Sequence, residues 1–409
     1  MDVSPDVLRP SVELCLDLHA HPELSGEESR TAARFADHLE RQGCSVTRKV
    51  GGHGVVGVLR NGAGPTVMLR AELDALPVGE RTGLGYASTV PGVMHACGHD
   101  LHLAALAGAT TQLARARGTW SGTLLVVGQP AEETLSGARA MLEDGLYERF
   151  GTPDVVLAQH TAPLPAGTVA HGHGPVMAGS ATLDIVVRGR GGHAGTPHLA
   201  VDPVVTAAAV VLRLQSVVSR ETAPAEQVVL TVGSLRAGER GNIIPDRAEL
   251  GVTVRAFSES ALRRVTDAVE RIVRGECAAS GCPDDPLVTV TSRSPALVPD
   301  PDLTNALRTV HAAGFGAGRV AHWPGATATE DFSWFGAHGA ELHGGNRVRT
   351  AYWMLGATSA AQWRSALSEG GPVPPNHSPE FAPDLRTALP TGITAMTDAA
   401  LHLLREAPP

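Results

Sequence analysis

One cysteine, several histidines and a pair of adjacent glutamates are the residues whose types and spacing suit metal chemistry in this chain. His95-Ala96-Cys97-Gly98-His99-Asp100 sets a thiolate and an imidazole two residues apart, a spacing that can place both on one ion. Alone, it reads equally well as a turn closed by a capping aspartate. Gln129-Pro130-Ala131-Glu132-Glu133 follows GTLLVVG (122–128), which reads as a buried strand. In open α/β sheets ligands collect at the carboxyl ends of strands, and two neighbouring carboxylates there raise one of their pKa values. A cation relieves that conflict for one acid and leaves the other as a general base. The alternative is a solvated glutamate pair opening a helix. His160 closes a second apolar run, DVVLA (154–158), with the same placement at a strand end. Gly191-Gly192-His193 with Thr196-Pro197-His198, and Asn376-His377-Ser378-Pro379, complete the set. Each motif is weak by itself. Together they offer one thiol, three imidazoles and a carboxylate for two metal ions, and a further glutamate for proton transfer, as a two-metal hydrolase requires. Eighteen His beside only three Tyr and seven Phe agree with histidines that do more than fill space.

The elements that must position these residues alternate between helix and strand. Helical spacing predicts helices over 6–18, 26–42 and 101–116, and strands over 66–70, 122–128 and 154–158. That alternation implies an α/β layer architecture with a largely buried sheet. From about residue 180 the pattern changes. Strands over 182–188, 227–235, 248–257 and 287–291 are interleaved with helices over 202–219 and 259–274, Asp202 capping the first with Pro203 in its first turn. The order is β-α-β-β-α-β, the ferredoxin-like arrangement. The text returns to α/β-like from about 297. The expected organisation is therefore a catalytic domain in two parts, 1–180 and 297–409, interrupted by an inserted α+β domain over 181–296.

Length and composition bound the rest. With 409 residues, 43% hydrophobic and 18% charged, the chain is globular and too long for one ordinary core. A net charge of −9 argues against a nucleic-acid surface or a polybasic membrane anchor. No stretch reads as a signal peptide or a bilayer span. Five scattered cysteines, Cys15, Cys44, Cys97, Cys277 and Cys282, do not make a disulfide framework, so a reduced, cytoplasmic protein is expected. Cys277 and Cys282 read as ordinary thiols.

Motifs across the chain resemble one family. DLHAHPELSGEE (17–28), LRAELDALPV (69–78), MHACGHDLH (94–102), QPAEE with GARAMLEDG (129–145), AQH with LPAGTV (158–169), GRGGHAGTPH (189–198), GNIIPDRAEL (241–250), TEDFSWF (329–335) and NHSPEF (376–381) are similar to the metallo-amidohydrolases that include hippurate hydrolases, auxin-conjugate hydrolases and bacterial aminoacylases (metallopeptidase family twenty, subfamily D). The likeness runs from about residue 11 to 405. It implies a zinc-peptidase-like, mixed-sheet catalytic domain with an inserted ferredoxin-like dimerisation (lid) domain. It implies two divalent metal ions, zinc or manganese with cobalt or nickel as alternatives, held by Cys97, His99, Glu133, His160 and His377. Glu132 would be the general base, moving a proton from the activated water to the leaving amine. His193 would stabilise the oxyanion, reaching the active site across a homodimer interface. Asp74 would orient a metal ligand, Asn242 would accompany His193, and Arg255 would take a substrate carboxylate. The implied reaction is hydrolysis of N-acyl amino acids, hippurate-like or N-acetylated; a dipeptidase or a deacylase of a biosynthetic amide would use the same ligands. The complete ligand set argues against a silent scaffold. Glu72 stands where the family usually has Asp, Leu101 replaces a usual Gly, and Thr161 replaces a bulky apolar residue, all of which bear on pocket shape. His102, one turn after His99, could face the site, but packing within its helix is the expectation. His19 and His21 are read as structural or pocket-lining, and His171, His173, His322, His338 and His343 belong to no constellation.

Overall fold

Four runs rich in Val, Leu and Ala are buried along nearly their whole length: Thr66–Glu72, Gly122–Gln129, Val155–Pro165 and Arg349–Thr358. Such runs suit strands covered on both faces. In the computed structural model, which describes residues 3–345 and 348–405, they form the parallel centre of an eight-stranded mixed sheet. Its order is Ser45–Val50, Gly54–Asn61, Gly122–Gln129, Thr66–Glu72, Val155–Pro165, Arg349–Thr358, Val169–Gly172, Val320–Trp323. The first two strands join antiparallel, while Thr66–Glu72 lies parallel to Gly122–Gln129 and to Val155–Pro165.

Chain contacts divide the protein into two compact units, one comprising Met1–Val176, Val298–Pro324 and Asp331–Pro409, the other Met177–Leu297 with Gly325–Glu330. In the first, the helix His99–Arg115 is buried almost end to end. Its run of Ala and Leu gives high helix propensity and a smooth surface for close packing. Leu103, Leu106 and Leu113 join Phe35, Leu69, Leu157 and Leu404 in the main core. The helices expected over 6–18, 26–42 and 101–116 are Pro5–Ala20, Ser29–Arg41 and His99–Arg115. One expectation changes: His160 does not end a strand. The ladder with Arg349–Thr358 continues past it through Thr358 opposite Pro165, so His160 lies mid-strand opposite Met354.

The second unit has the β-α-β-β-α-β element order of the sequence reading. Its antiparallel sheet runs Leu287–Ser294, Gly179–Arg188, Arg247–Ala256, Val228–Ala237. Arg247–Ala256 alternates strictly between buried and part-exposed or exposed residues, as a sheet with one covered face should. Ala207, Val210 and Leu214 of the helix Pro203–Ser216, and Leu262, Val265, Val269 and Val273 of Glu259–Ala279, join its core. Asp202 caps the former by accepting from the Val204 N–H. Among the described residues the segment Pro203–Glu221 is, by length and composition, apolar enough to cross a membrane, which the sequence reading did not anticipate; its buried stripe serves the unit's own core.

Two histidines without an assigned partner in the sequence prove to be a buried pair. His311 Nε2–H donates to the Ala395 carbonyl (3.1 Å), and its Nδ1 lies 2.9 Å from His171 Nε2 beside Trp353. Burial holds His171 down to about 3 and His311 to about 4. Both rings are thus neutral in the folded chain but protonate near 6.5 when it unfolds. The unfolded state binds the extra protons, so stability falls as pH drops from 6.5 toward 4, by about 1.4 kcal/mol per pH unit for each ring. Denaturant midpoints measured from pH 7 to pH 5 should decline. The double variant His171→Leu/His311→Leu should show a shallower decline, and an unchanged slope would remove this pair as the cause.

Candidate metal centre

The donors arise where parallel strands deliver the chain to one edge of the sheet. Asp74 follows Thr66–Glu72 by two residues, and Glu132 and Glu133 follow Gly122–Gln129. The turn carrying the two glutamates is held from several sides. Ala131 and Leu135 have positive φ, 51° and 55°, and the Leu135 N–H donates to the Glu132 carbonyl at 2.7 Å. Buried Glu28 accepts from the amides of Gly26 and Ala131, both at 2.8 Å. Asp74 Oδ2 accepts from the Glu133 amide at 2.9 Å and from the Ser25 hydroxyl at 2.7 Å. Cys97 and His99 flank Gly98, which starts the helix at φ 82°; a Cβ there would meet Thr161 Oγ1 at 2.7 Å, so only glycine fits. His377 is itself left-handed, φ 69°, a conformation that costs a non-glycine residue of order 1 kcal/mol and concentrates at functional sites.

Five side chains and Glu132 converge. Cys97 Sγ lies 3.4 Å from His160 Nε2 and 3.3 Å from His377 Nε2. His377 Nε2 is 3.5 Å from Glu133 Oε2, and His99 Nε2 is 3.8 Å from a carboxylate oxygen of both Glu132 and Glu133. Candidate donor atoms of Cys97, His99 and His160, of Cys97, Glu133 and His377, and of His99, Glu132 and Glu133 each lie within 4.8 Å of one another. The ring orientations suit a cation. His99 donates from Nδ1 to the Asp74 carbonyl (2.9 Å), and His160 donates from Nδ1 to the Thr161 carbonyl (2.8 Å). Both therefore turn Nε2 toward the cluster, and His99 Nε2 is buried there without a hydrogen-bond partner. A thiol, three imidazoles and carboxylates around such an orphaned nitrogen fit divalent metal of the zinc class.

Electrostatics lead to the same place. Burial, then the Glu133 charge, push the Cys97 thiol up to about 12. Without a cation it stays protonated; as a ligand it must give up that proton. Burial and neighbouring His102 hold His160 neutral, well below its ordinary value. Burial disfavours charge on His99, but Asp74 and Cys97 outweigh it and hold its pKa well above the usual range. Asp74 keeps its charge despite burial, through His99, the Glu133 amide and Ser25.

Several further residues brace this cluster. His102, expected to pack within its helix, instead sits between Glu72 and Thr161. Its Nδ1–H donates to Glu72 Oε2 at 2.8 Å, and its Nε2 accepts from the Thr161 amide at 2.8 Å, next to His160. Glu72 is fully buried and paired with Arg70, whose guanidinium also donates to Gln129 (2.8 Å) and Asp331 (3.2 Å). Asp331 in turn accepts from Gln129 Nε2 and the Ala138 amide. Asn376 donates to the Cys97 carbonyl at 3.2 Å. The available signal for His102 was its place one turn after His99 on the same helix; Arg70 and Glu28 lie in the motifs at 69–78 and 17–28, which do not show what either residue pairs with.

His193, Asn242 and Arg255 belong to the second unit. Gly192–His193 pairs with Ile243–Ile244, His193 opposite Ile243, and the Ala194 amide donates to the Asn242 carbonyl at 3.2 Å. His193 and Asn242 are thus neighbours in one exposed ribbon. Arg255 is elsewhere, on Arg247–Ala256, donating from one nitrogen to Thr327 O (2.9 Å) and Thr329 Oγ1 (3.2 Å).

The turn geometry makes a prediction for Glu28. Glu28→Gln keeps an oxygen for both amides, whereas Glu28→Ala frees Ala131 and loosens Glu132 and Glu133. Divalent-metal titration by calorimetry should show Glu28→Ala weakened about 10-fold or more, with Glu28→Gln near the parent. Equal loss in both variants would mean that the charge, not the hydrogen bonds, matters.

Over 271 residues the chain is 38% identical to an N-acetylcysteine deacetylase of Bacillus subtilis, covering 65% of this chain and 70% of that protein. It is 40% identical over 260 residues to a hippurate hydrolase of Campylobacter jejuni, covering 63% and 67%. A solved structure from Bacillus subtilis, described as a dinuclear metal-binding peptidase, superposes with a TM-score of 0.77 at 28% identity, covering 98% of this chain and 99% of that one. Residues 68–362, well over half of the chain, match the model of peptidase family M20/M25/M40. The chain belongs to that family.

Proposed function

We propose that this chain, a metal-dependent amidohydrolase of its family, cleaves the amide bond of N-acyl amino acids, with two divalent cations held by Cys97, His99, Glu133, His160 and His377. The observation that carries the reading is the convergence of those five donors from distant parts of the chain, with Glu132 alongside. Zinc fits a thiolate among imidazoles, and manganese, cobalt or nickel fit the remaining donors. When bound, the cations supply a Lewis acid for the carbonyl and acidify a water molecule.

The residues do the rest. Glu132, 4% exposed and next to Glu133, takes the proton of the attacking water and hands it to the leaving nitrogen. Asp74 holds His99 by its carbonyl and Glu133 by its amide, fixing two ligands with one residue. Arg255 has donors left for a substrate carboxylate, and His193 with Asn242 stabilise the oxyanion. Those two come from the second unit, read here as a ferredoxin-like dimerisation domain whose partner is a second copy of the chain. Support for that reading lies in exposed Leu199 (66%), Val205 (65%) and Leu212 (75%), on or next to the helix Pro203–Ser216. All five cysteines are free thiols, and we place the enzyme in the cytoplasm.

Amine release from a panel including hippurate, N-acetyl amino acids and dipeptides should occur with some N-acyl amino acids, stop with chelator and return with added metal. Preference for dipeptides would favour the dipeptidase alternative. Glu132→Ala should retain metal while turnover falls by about 100-fold or more; near-normal turnover would end its role as base. Mixing Glu132→Ala subunits with His193→Ala subunits should restore part of the activity if His193 serves the partner's site, and no recovery in a verified mixed dimer would exclude that sharing.

A further inference from the structure

We propose that Cys277 and Cys282 are a redox pair that closes into a disulfide by exchange with a low-molecular-weight disulfide. The helix Glu259–Ala279 ends in a double backbone closure: the Cys282 amide donates to the Cys277 carbonyl (3.0 Å) and the Gly281 amide to the Ala278 carbonyl (3.1 Å). Ser280 is the last residue in the helical region, and Gly281 takes φ +70°. This is the Schellman pattern, in which the residues at the two ends of the outer hydrogen bond touch through their side chains, ordinarily as an apolar contact. Here both positions are thiols. Cys277 is 2% exposed in the core of the second unit, and Cys282 packs part-exposed against the same core. A backbone ring of this size holds the two Cα atoms at about 5–6 Å, inside the range a disulfide spans. Among the described residues neither thiol belongs to a cluster of three candidate metal donors; of the other cysteines, Cys97 lies among imidazoles and Cys15 against Asp100.

Exposure sets the order of events. The Cys282 thiolate attacks one sulfur of the small disulfide and expels a thiolate. The Cys277 thiolate then attacks the Cys282 sulfur and expels the second. The two protons of the pair end on the two small thiols, so one dithiol and one disulfide give one disulfide and two thiols. Burial, the Cys282 sulfur and the nearby Asp285 and Glu276 carboxylates push the Cys277 thiol up to about 12, which makes closure the slower step. The closed pair would clip the C-terminal turn of this helix when the thiol–disulfide balance turns oxidising.

The test needs one peptide. Trypsin releases Gly275–Arg293, which contains both cysteines and no other. The full-length chain is incubated with oxidised glutathione, its remaining thiols are blocked with iodoacetamide, and the digest is read by mass. The expected peptide carries no alkyl group, is two hydrogens lighter than its reduced form, and regains two alkylation sites after dithiothreitol. Cys277→Ser should instead hold glutathione on Cys282. A wild-type peptide that is doubly alkylated, that stays glutathionylated, or that is linked to another peptide would overturn the proposal, and none of these readouts depends on catalytic activity.

Discussion

Negative charge gathered around a buried thiol is the constraint on which the first unit is built. Glu72, Asp74, Glu132 and Cys97 are all less than a tenth exposed, and Glu133 lies beside them. A buried charge without compensation costs several kcal/mol, so each must be answered. Arg70 and His102 answer Glu72, and His99 answers Asp74. The Glu133 charge faces the Cys97 sulfur and, with burial, pushes the thiol up, and a divalent cation is the compensation their geometry accepts. Compensation also explains why the surroundings are stiff: a ligand set that must not collapse on itself needs donors fixed from behind.

The bracing follows a consistent scheme. A backbone group supplies one partner in each of four ties. His99 and His160 are oriented by carbonyls, Glu133 by its own amide, and the Thr161 amide by His102. Backbone partners on strands and helix ends cannot rotate away, so the ring orientations are set before metal arrives, which lowers the cost of binding. Positive φ at Ala131 and His377 is the local strain accepted in exchange for aiming those loops.

The second unit works by different means. Its sheet has one face covered by two helices and an edge strand, Val228–Ala237, that pairs on one side only. It brings His193 and Asn242 together by a two-residue ribbon rather than by burial. It also carries two thiols, Cys277 and Cys282, at the two ends of the hydrogen bond that closes a helix terminus, in surroundings unlike those of Cys97.

The sequence by itself determined the element order, the α/β character of the first unit and the β-α-β-β-α-β order of the second, because hydrophobic period and capping residues are local properties. It also marked Cys97, His99, Glu133, His160, His377 and Glu132 as candidates, since family motifs place residue types at particular points in the chain; that their side chains lie together belongs to the fold. What only the tertiary structure decided are relations between residues far apart in sequence. His160 moved from a strand end to mid-strand because its ladder partner lies nearly two hundred residues later, in Arg349–Thr358. His102 exchanged helical packing for a place between Glu72 and Thr161. The partners of Arg70, Asp331 and Glu28, and the pairing of His171 with His311, carry no mark in their own segments, since burial and partnership are created by packing. A residue's chemistry can be read one position at a time, whereas the charge it must balance is known only when its neighbours are in place.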